Sequence, residues 1–268
     1  MSLITLLTDF GTRDEYVGVL KGVIYTINPN ATVVDLSHEV APQDVRAAAY
    51  LLRASYEYFP KGSIHMAVVD PGVGSRRKVL AARAAGHVFL APDNGLLDPL
   101  LARGGVETMV AVDAPELYRP PVSRTFHGRD IFAPVAAHLS LGYAIGRLGA
   151  PMDPDEAVRL AGRETPHFNG HDEVCGHVVR IDRFGNLITN IGSELLAAAG
   201  LSDDAASLEI RIGDTGIQGI SASYSDAPDG AFVAVVGSSN CLEIAVAMGN
   251  AAKMLNLQID AEVYVRRK

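Results

Sequence analysis

"ITLLTDFGTRDEYVGVLKGVIYTINPNATVVDLS", residues 4–37, changes period twice within one short stretch. "ITLLTDF" is an apolar run that ends on a polar tip, the pattern of a buried strand. In "DEYVGVLKGVIYTINP", Val17, Leu20, Val23 and Ile24 recur at helical spacing on one face. "ATVVDLS" returns to a strand. Working outward, "QDVRAAAYLLRASYEYF" predicts a second helix with Ala48, Leu51 and Leu52 facing inward, and "SIHMAVVD" a third strand. Strands alternating with helices of this length predict crossover units and a mostly parallel sheet. "KVLAARAAGHVFLAPDNG" reads as two more strands and "LLDPLLARGG" as a short helix stopped by glycine. "GRDIFAPVAAHLSLG" reads as a helix broken or kinked near Pro134.

The character of the chain changes near residue 150. A polar, Pro/Gly-rich stretch reads as a linker over 151–170. Beyond it come "VCGHVVRI", "NLITNI", "SLEIRIG", "AFVAVVG" and "DAEVYVRR", β-rich segments punctuated by glycine. The reading is therefore an α/β protein: an N-terminal α/β domain over 1–150 and a smaller β domain over 171–268, a barrel or sandwich.

Bulk properties narrow the function. With 268 residues and 48% hydrophobic content, the chain can bury a large core. A net charge of −8 disfavours non-specific nucleic-acid binding, which needs Lys and Arg to neutralise phosphates. The most apolar long stretch, 231–255, is broken by Ser238, Ser239, Asn240 and Glu243, so no membrane span is expected. The start lacks a basic n-region and reaches Asp9 too soon for a signal peptide. Two cysteines, Cys175 and Cys241, make neither a disulfide framework nor a close metal motif, which fits a reducing cytoplasm.

Polar clusters fall where strands end, the edge at which open parallel sheets bind ligands. Asp9 follows the first strand; it suits either the two hydroxyls of a ribose-like diol or a helix cap, a role Thr12 or Asp14 could also fill. "VVDPGVGSRRKV" delivers Asp70 to a strand tip and returns arginines within a few residues, either as a surface ion pair or as a positioned charge pair. It lacks the Gly-Lys-Ser/Thr of a phosphate loop. His127 in "TFHGRDIF" sits at a loop-to-helix junction, structural or catalytic, and "APDNGLL" reads as an Asn-Gly turn. In the β region, "RIDRFGNLITN" combines Asp182 with Phe184 and Asn186, an aromatic face and a carboxamide that suit a purine. Ser238 and Ser239 offer adjacent hydroxyls suited to a carboxylate.

Taken together, "TDFG…DEYVG.LKG", "VVDPGVGS.RK", "APDNGLL", "TFHGRD.FAP", "D.FGNLITNI" and "VGSS..LEIA" run in this order over nearly the whole chain. The pattern resembles the S-adenosylmethionine hydroxide adenosyltransferases, also called adenosine-forming S-adenosylmethionine hydrolases, which are relatives of the fluorinase and chlorinase. The resemblance implies a C-terminal β-barrel and a homotrimer with sites between subunits. It implies hydrolysis of S-adenosyl-L-methionine to adenosine and L-methionine, with no cofactor and no metal. The catalytic Asp-Arg-His set falls on Asp70, Arg77 and His127, with His127 the expected base near neutral pH. Asp9 matches the ribose carboxylate and Asp182 the residue at the methionine amino group. Phe184 and Asn186 match the adenine contacts, and Ser238 and Ser239 lie in the segment that holds the methionine end. Many relatives read Gly-Tyr after the two serines; here the pair is Asn240-Cys241. Halogenases carry tyrosine where this chain has Asp70, and a carboxylate would repel halide. A halogenase and a non-catalytic S-adenosylmethionine or adenosine sensor are the competing expectations.

Overall fold

The computed structural model describes residues 3–160, 165–169, 173–202 and 205–268. The chain divides into two compact units, Met1–Ala161 and Gly162–Lys268.

In the first unit, β1 (Leu3–Thr8), β2 (Thr32–Ser37), β3 (Ile64–Val68), β4 (Val79–Ala84), β5 (His87–Pro92), β6 (Val106–Val112) and β7 (Gly149–Pro151) form one sheet, ordered β2-β1-β3-β5-β4-β6-β7. The run β2-β1-β3-β5 is parallel. β4, β6 and β7 join it antiparallel. The reversal starts at Ala85 and Gly86, whose φ angles of 52° and 76° make the tight turn that pairs β4 with β5. Helices cover both faces. α1 (Tyr16–Ile27) and α4 (Ala133–Ser140) enclose one core with Ile4, Leu6, Leu20, Ile24 and Val135. α2 (Val45–Ser55) and α3 (Asp98–Leu101) enclose the other with Leu7, Leu52, Phe89 and Leu100. Leu6 and Leu7 face opposite layers, which is why the strand reads as a continuous apolar run rather than an alternating one.

Two expected elements differ in detail. The helix expected from residue 128 opens with a π-helical turn, Gly128–Phe132, before α4 begins at Ala133. Pro134 explains the change: it has no N–H to give the carbonyl four residues back, Asp130, and that carbonyl accepts from Arg119 N instead at 2.9 Å. The stretch read as a linker is packed chain as far as Leu160. Met152 and Ala157 lie in the second core of the unit, and Leu160 N donates to the buried Asp98 carboxylate at 3.2 Å. Residues 161–164 and 170–172, which hold the rest of that stretch's junction and the expected start of the β domain, lie outside the described residues.

The second unit is built from β8 (His167–Phe168), β9 (Glu173–Ile181), β10 (Leu187–Gly192), β11 (Leu208–Ile212), β12 (Thr215–Gln218), β13 (Phe232–Val236), β14 (Cys241–Val246) and β15 (Glu262–Arg267). The path is β12-β11-β15-β9-β10-β14-β13, with β8 against β9. A parallel bridge between Ser221 and Val235 brings the chain after β12 onto β13, so the sheet is nearly closed into a barrel. Leu208, Ile210 and Ile212 alternate with Glu209 and Arg211, and the buried set packs with Val174, Val178, Leu187, Ile244 and Val265 inside.

Candidate functional site

Asp70 lies two residues beyond β3, at the carboxyl end of the parallel sheet. The strand tip is fixed from the neighbouring turn: Asn94 Nδ2 donates to Val69 O at 2.9 Å, and Leu96 N donates to Asn94 Oδ1 at 3.2 Å. The Asn-Gly turn of "APDNGLL" is thus a turn as expected, and it also braces the strand that carries Asp70. The chain then folds back through Val73 N to Asp70 O, 3.2 Å, and Ser75 N to Gly72 O, 3.1 Å. Gly74, at φ 77°, presses against the 122–127 segment: a Cβ there would sit 2.2 Å from Arg124 O. No other residue type fits that approach. The turn returns Arg77 onto Asp70.

Arg77 Nε donates to both Asp70 oxygens, at 2.9 and 2.8 Å, and its Nη2 donates to Oδ2 as well. The same Nη2 donates to His127 Nδ1 at 3.0 Å. The two charged side chains are only 5% and 10% exposed, and the guanidinium carbon lies 5.6 Å from the Phe132 ring centre. Burial, then the Arg77 charge, push the His127 pKa below its ordinary value. Arg77 can only donate, so Nδ1 is the acceptor, and the proton of the neutral ring is on Nε2. Asp70, Arg77 and His127 therefore do come together, with the guanidinium between the carboxylate and the imidazole.

His127 is held by a residue the sequence reading passed over. Asp130, fully buried, accepts from Arg129 at 2.7 and 2.9 Å and from Ser123 N at 2.8 Å. It ties the loop to the helix start around His127. The signal was in the sequence, as the aspartate of "TFHGRD", but nothing local shows that it is buried. A cavity of about 400 Å³ beside this segment is lined by Phe10, Tyr16, Val19, Phe126 and Arg129; it does not include the Asp70 cluster.

Asp9 follows β1 at the same carboxyl edge, on the parallel neighbour of the strand that carries Asp70. Its Oδ2 accepts from Gln43 N at 2.8 Å, so it holds the loop after β2 rather than capping α1. In the second unit, Asp182, Phe184 and Asn186 share the β9–β10 loop. Asp182 Oδ1 accepts from Phe184 N and Asn186 N, both at 2.9 Å, and Oδ2 accepts from Asn186 Nδ2 at 3.0 Å. The carboxylate closes its own loop and leaves the Phe184 ring 74% exposed. Ser238 and Ser239 lie on the β13–β14 turn; among the described residues the buried Ser239 hydroxyl has no hydrogen-bond partner. Asn240 sits at φ 60°, a conformation asparagine tolerates and glycine favours. Cys241 is buried on β14. Among the described residues, no group of three or more His, Cys, Asp or Glu side chains is arranged to hold a metal ion, and no helix is long and apolar enough to cross a membrane.

Residues 4–149 match the SAM hydroxide adenosyltransferase N-terminal domain and residues 176–264 the C-terminal domain of the same family. The chain is 38% identical to an (R)-S-adenosyl-L-methionine hydrolase of Thermus thermophilus, over 96% of this chain and 97% of the relative. It is 37% identical to one of Salinispora arenicola, over 94% and 93%. A crystal structure of an uncharacterized conserved protein from Thermotoga maritima superposes with a TM-score of 0.90 at 36% identity, covering 98% of this chain and all of that one.

Proposed function

The chain belongs to the SAM hydroxide adenosyltransferase family, and from that premise we propose that it hydrolyses S-adenosyl-L-methionine to adenosine and L-methionine, with water attacking the ribose 5′ carbon at Asp70, Arg77 and His127. The observation that carries the reading is the part-buried Asp70–Arg77–His127 contact at the carboxyl edge of the sheet. Asp9 would bind the ribose diol. Phe184 and Asn186 would bind adenine, and Asp182, Ser238 and Ser239 the methionine end.

The chemistry asks little of the leaving group. As the new carbon–oxygen bond forms, the carbon–sulfur bond breaks and its electron pair neutralises the sulfonium, so no proton and no metal is needed for departure. What remains is to hold one water in line and to take its proton. Holding it contributes by removing translational freedom before reaction. The tautomer deduced for His127 changes the expected assignment of the base. The neutral ring offers a donor at Nε2 and no free lone pair while Arg77 occupies Nδ1. We therefore assign His127 Nε2–H to orienting the water oxygen and Asp70 to accepting the proton, since its Oδ1 takes a single bond from Arg77 and keeps a lone pair. Arg77, always charged, would hold the two in register. A halide nucleophile is not favoured, because the Asp70 carboxylate would repel it.

Incubation with S-adenosylmethionine in ¹⁸O-labelled water, with and without a chelator, tests the reaction. The names of the relatives specify the (R) sulfonium, so both sulfur epimers are assayed. Single-turnover product should be adenosine labelled at the 5′-hydroxyl, with chelator making no difference. Unlabelled adenosine with label in Asp70 would mean that the carboxylate itself attacks carbon. No turnover of either epimer would leave a binding protein.

The proposal includes a homotrimer in which the N-terminal unit of one chain works with the C-terminal unit of another. The division of the candidate residues between two separate units supports it. Sedimentation equilibrium should give three times the chain mass; a monomer would refute it.

A further inference from the structure

Lys21 belongs to the "LKG" portion of the first motif, yet nothing in the proposed chemistry uses it. Its Nζ donates to Asp35 Oδ2 at 2.6 Å, from α1 to the edge strand β2. The other oxygen of Asp35 lies 3.1 Å from His38 Nε2. His38 is buried, and its Nδ1 is 2.8 Å from the hydroxyl of Thr8, the fully buried last residue of β1. Thr8 Oγ1 also accepts from Phe10 N at 3.2 Å. That bond spans residue 9, so a side-chain turn closes over Asp9. On the far side of Asp9, Gly11 N donates to His38 O at 2.8 Å. Both flanks of Asp9 are therefore tied to one residue, His38, which is itself anchored through Asp35 to Lys21.

We propose that Lys21, Asp35, His38 and Thr8 form a positioning chain that sets the direction of the Asp9 carboxylate and so the selectivity for a ribose diol. This rests on the reading of Asp9 as the diol ligand. A hydroxyl bound by Phe10 N as acceptor is free to donate its proton to His38 Nδ1, which leaves the His38 proton on Nε2, facing the Asp35 anion. In this arrangement Thr8 donates to His38, and the ring meets Asp35 as a close charge-pair contact at 3.1 Å, so the strand tip is held from Lys21 through to Thr8. A carboxylate accepts two hydroxyls together only when its plane is set, so loss of the chain should blunt diol recognition before it affects the reaction at carbon.

The test compares kcat/KM for S-adenosylmethionine with that for its 2′-deoxy analogue. Thr8→Val, nearly isosteric and without the hydroxyl, should reduce the ratio about three- to tenfold, the scale of one hydrogen bond. Lys21→Met, at a partly exposed site, should reduce it in the same direction, and Thr8→Ser should restore it. A purely structural role would lower the melting temperature and leave the ratio at the parent value. Asp9→Ala is measured alongside. If it abolishes discrimination while Thr8→Val and Lys21→Met keep the parent ratio, the positioning chain is refuted and the diol reading stands. If Asp9→Ala also keeps the ratio, the diol reading itself is refuted.

Discussion

Asp70→Asn should lower kcat by about 10²–10⁴-fold with a far smaller change in KM, the range expected when a positioned proton acceptor is removed. The substitution preserves shape and removes one charge. Its effect is felt twice. The amide cannot take the proton of the attacking water, and the amide NH₂ now faces Arg77, which also only donates. A buried guanidinium left without its anion is costly, so Arg77 will turn away and release His127 Nδ1. Arg77→Lys should behave similarly, because an ammonium cannot span both Asp70 oxygens and the imidazole as the planar fork does. Single-turnover rates at saturating substrate, with melting temperatures to establish folding, are the measurement. A folded Asp70→Asn protein with kcat within threefold of the parent would remove Asp70 from the chemistry.

The parts of the molecule that were legible in the sequence are those specified by neighbours in the chain. Strand, helix and strand over 4–37 follow from local period, and the glycine punctuation after residue 171 follows from turn chemistry. That an arginine returns to Asp70 could be read from two glycines within a few residues, while the choice of Arg77 over Arg76 rested on the family resemblance. What could not be read depends on contacts between distant residues. Thr8 and His38 are 30 apart, and Asp98 is reached by Leu160 from 62 residues away. A polar Pro/Gly-rich composition reads as linker, yet two buried side chains, Met152 and Ala157, pin that segment to the core. Donor and acceptor roles were equally hidden. His127 as a base follows from its ordinary pKa, and only the position of Arg77 Nη2 shows which ring nitrogen is occupied.

The same long-range burial gives the protein an acid weakness that sequence alone does not announce. His65 on β3 and His87 on β5 are 1% and 0% exposed, with His65 Nε2 3.2 Å from His87 Nδ1 and His65 Nδ1 2.8 Å from Thr5 Oγ1. Phe89 stacks on His65 at 5.1 Å, and Tyr56 and Phe59 meet it edge-on. Burial, and then the neighbouring His87, push the His65 pKa down to about 3. His87 is also lowered, by burial and then by Lys61. An unfolded chain binds protons at these sites near the ordinary histidine value of about 6.5. Above that pH both states are neutral, and the pair imposes no penalty. Between about 6.5 and 3 the unfolded state holds more protons, so stability falls with pH, by roughly 3–5 kcal/mol for His65 alone at the acid end. Urea unfolding from pH 7 to pH 4 should show this as a slope of about 1.4 kcal/mol per pH unit for each such proton. His65→Gln keeps an amide near His87 but cannot titrate. It will lower stability at neutral pH, yet its slope should be shallower by close to one proton. That slope does not depend on how much stability the substitution removes, so parallel profiles for parent and variant would show that His65 takes up its proton in the folded protein and that the buried pair is not the source of acid lability.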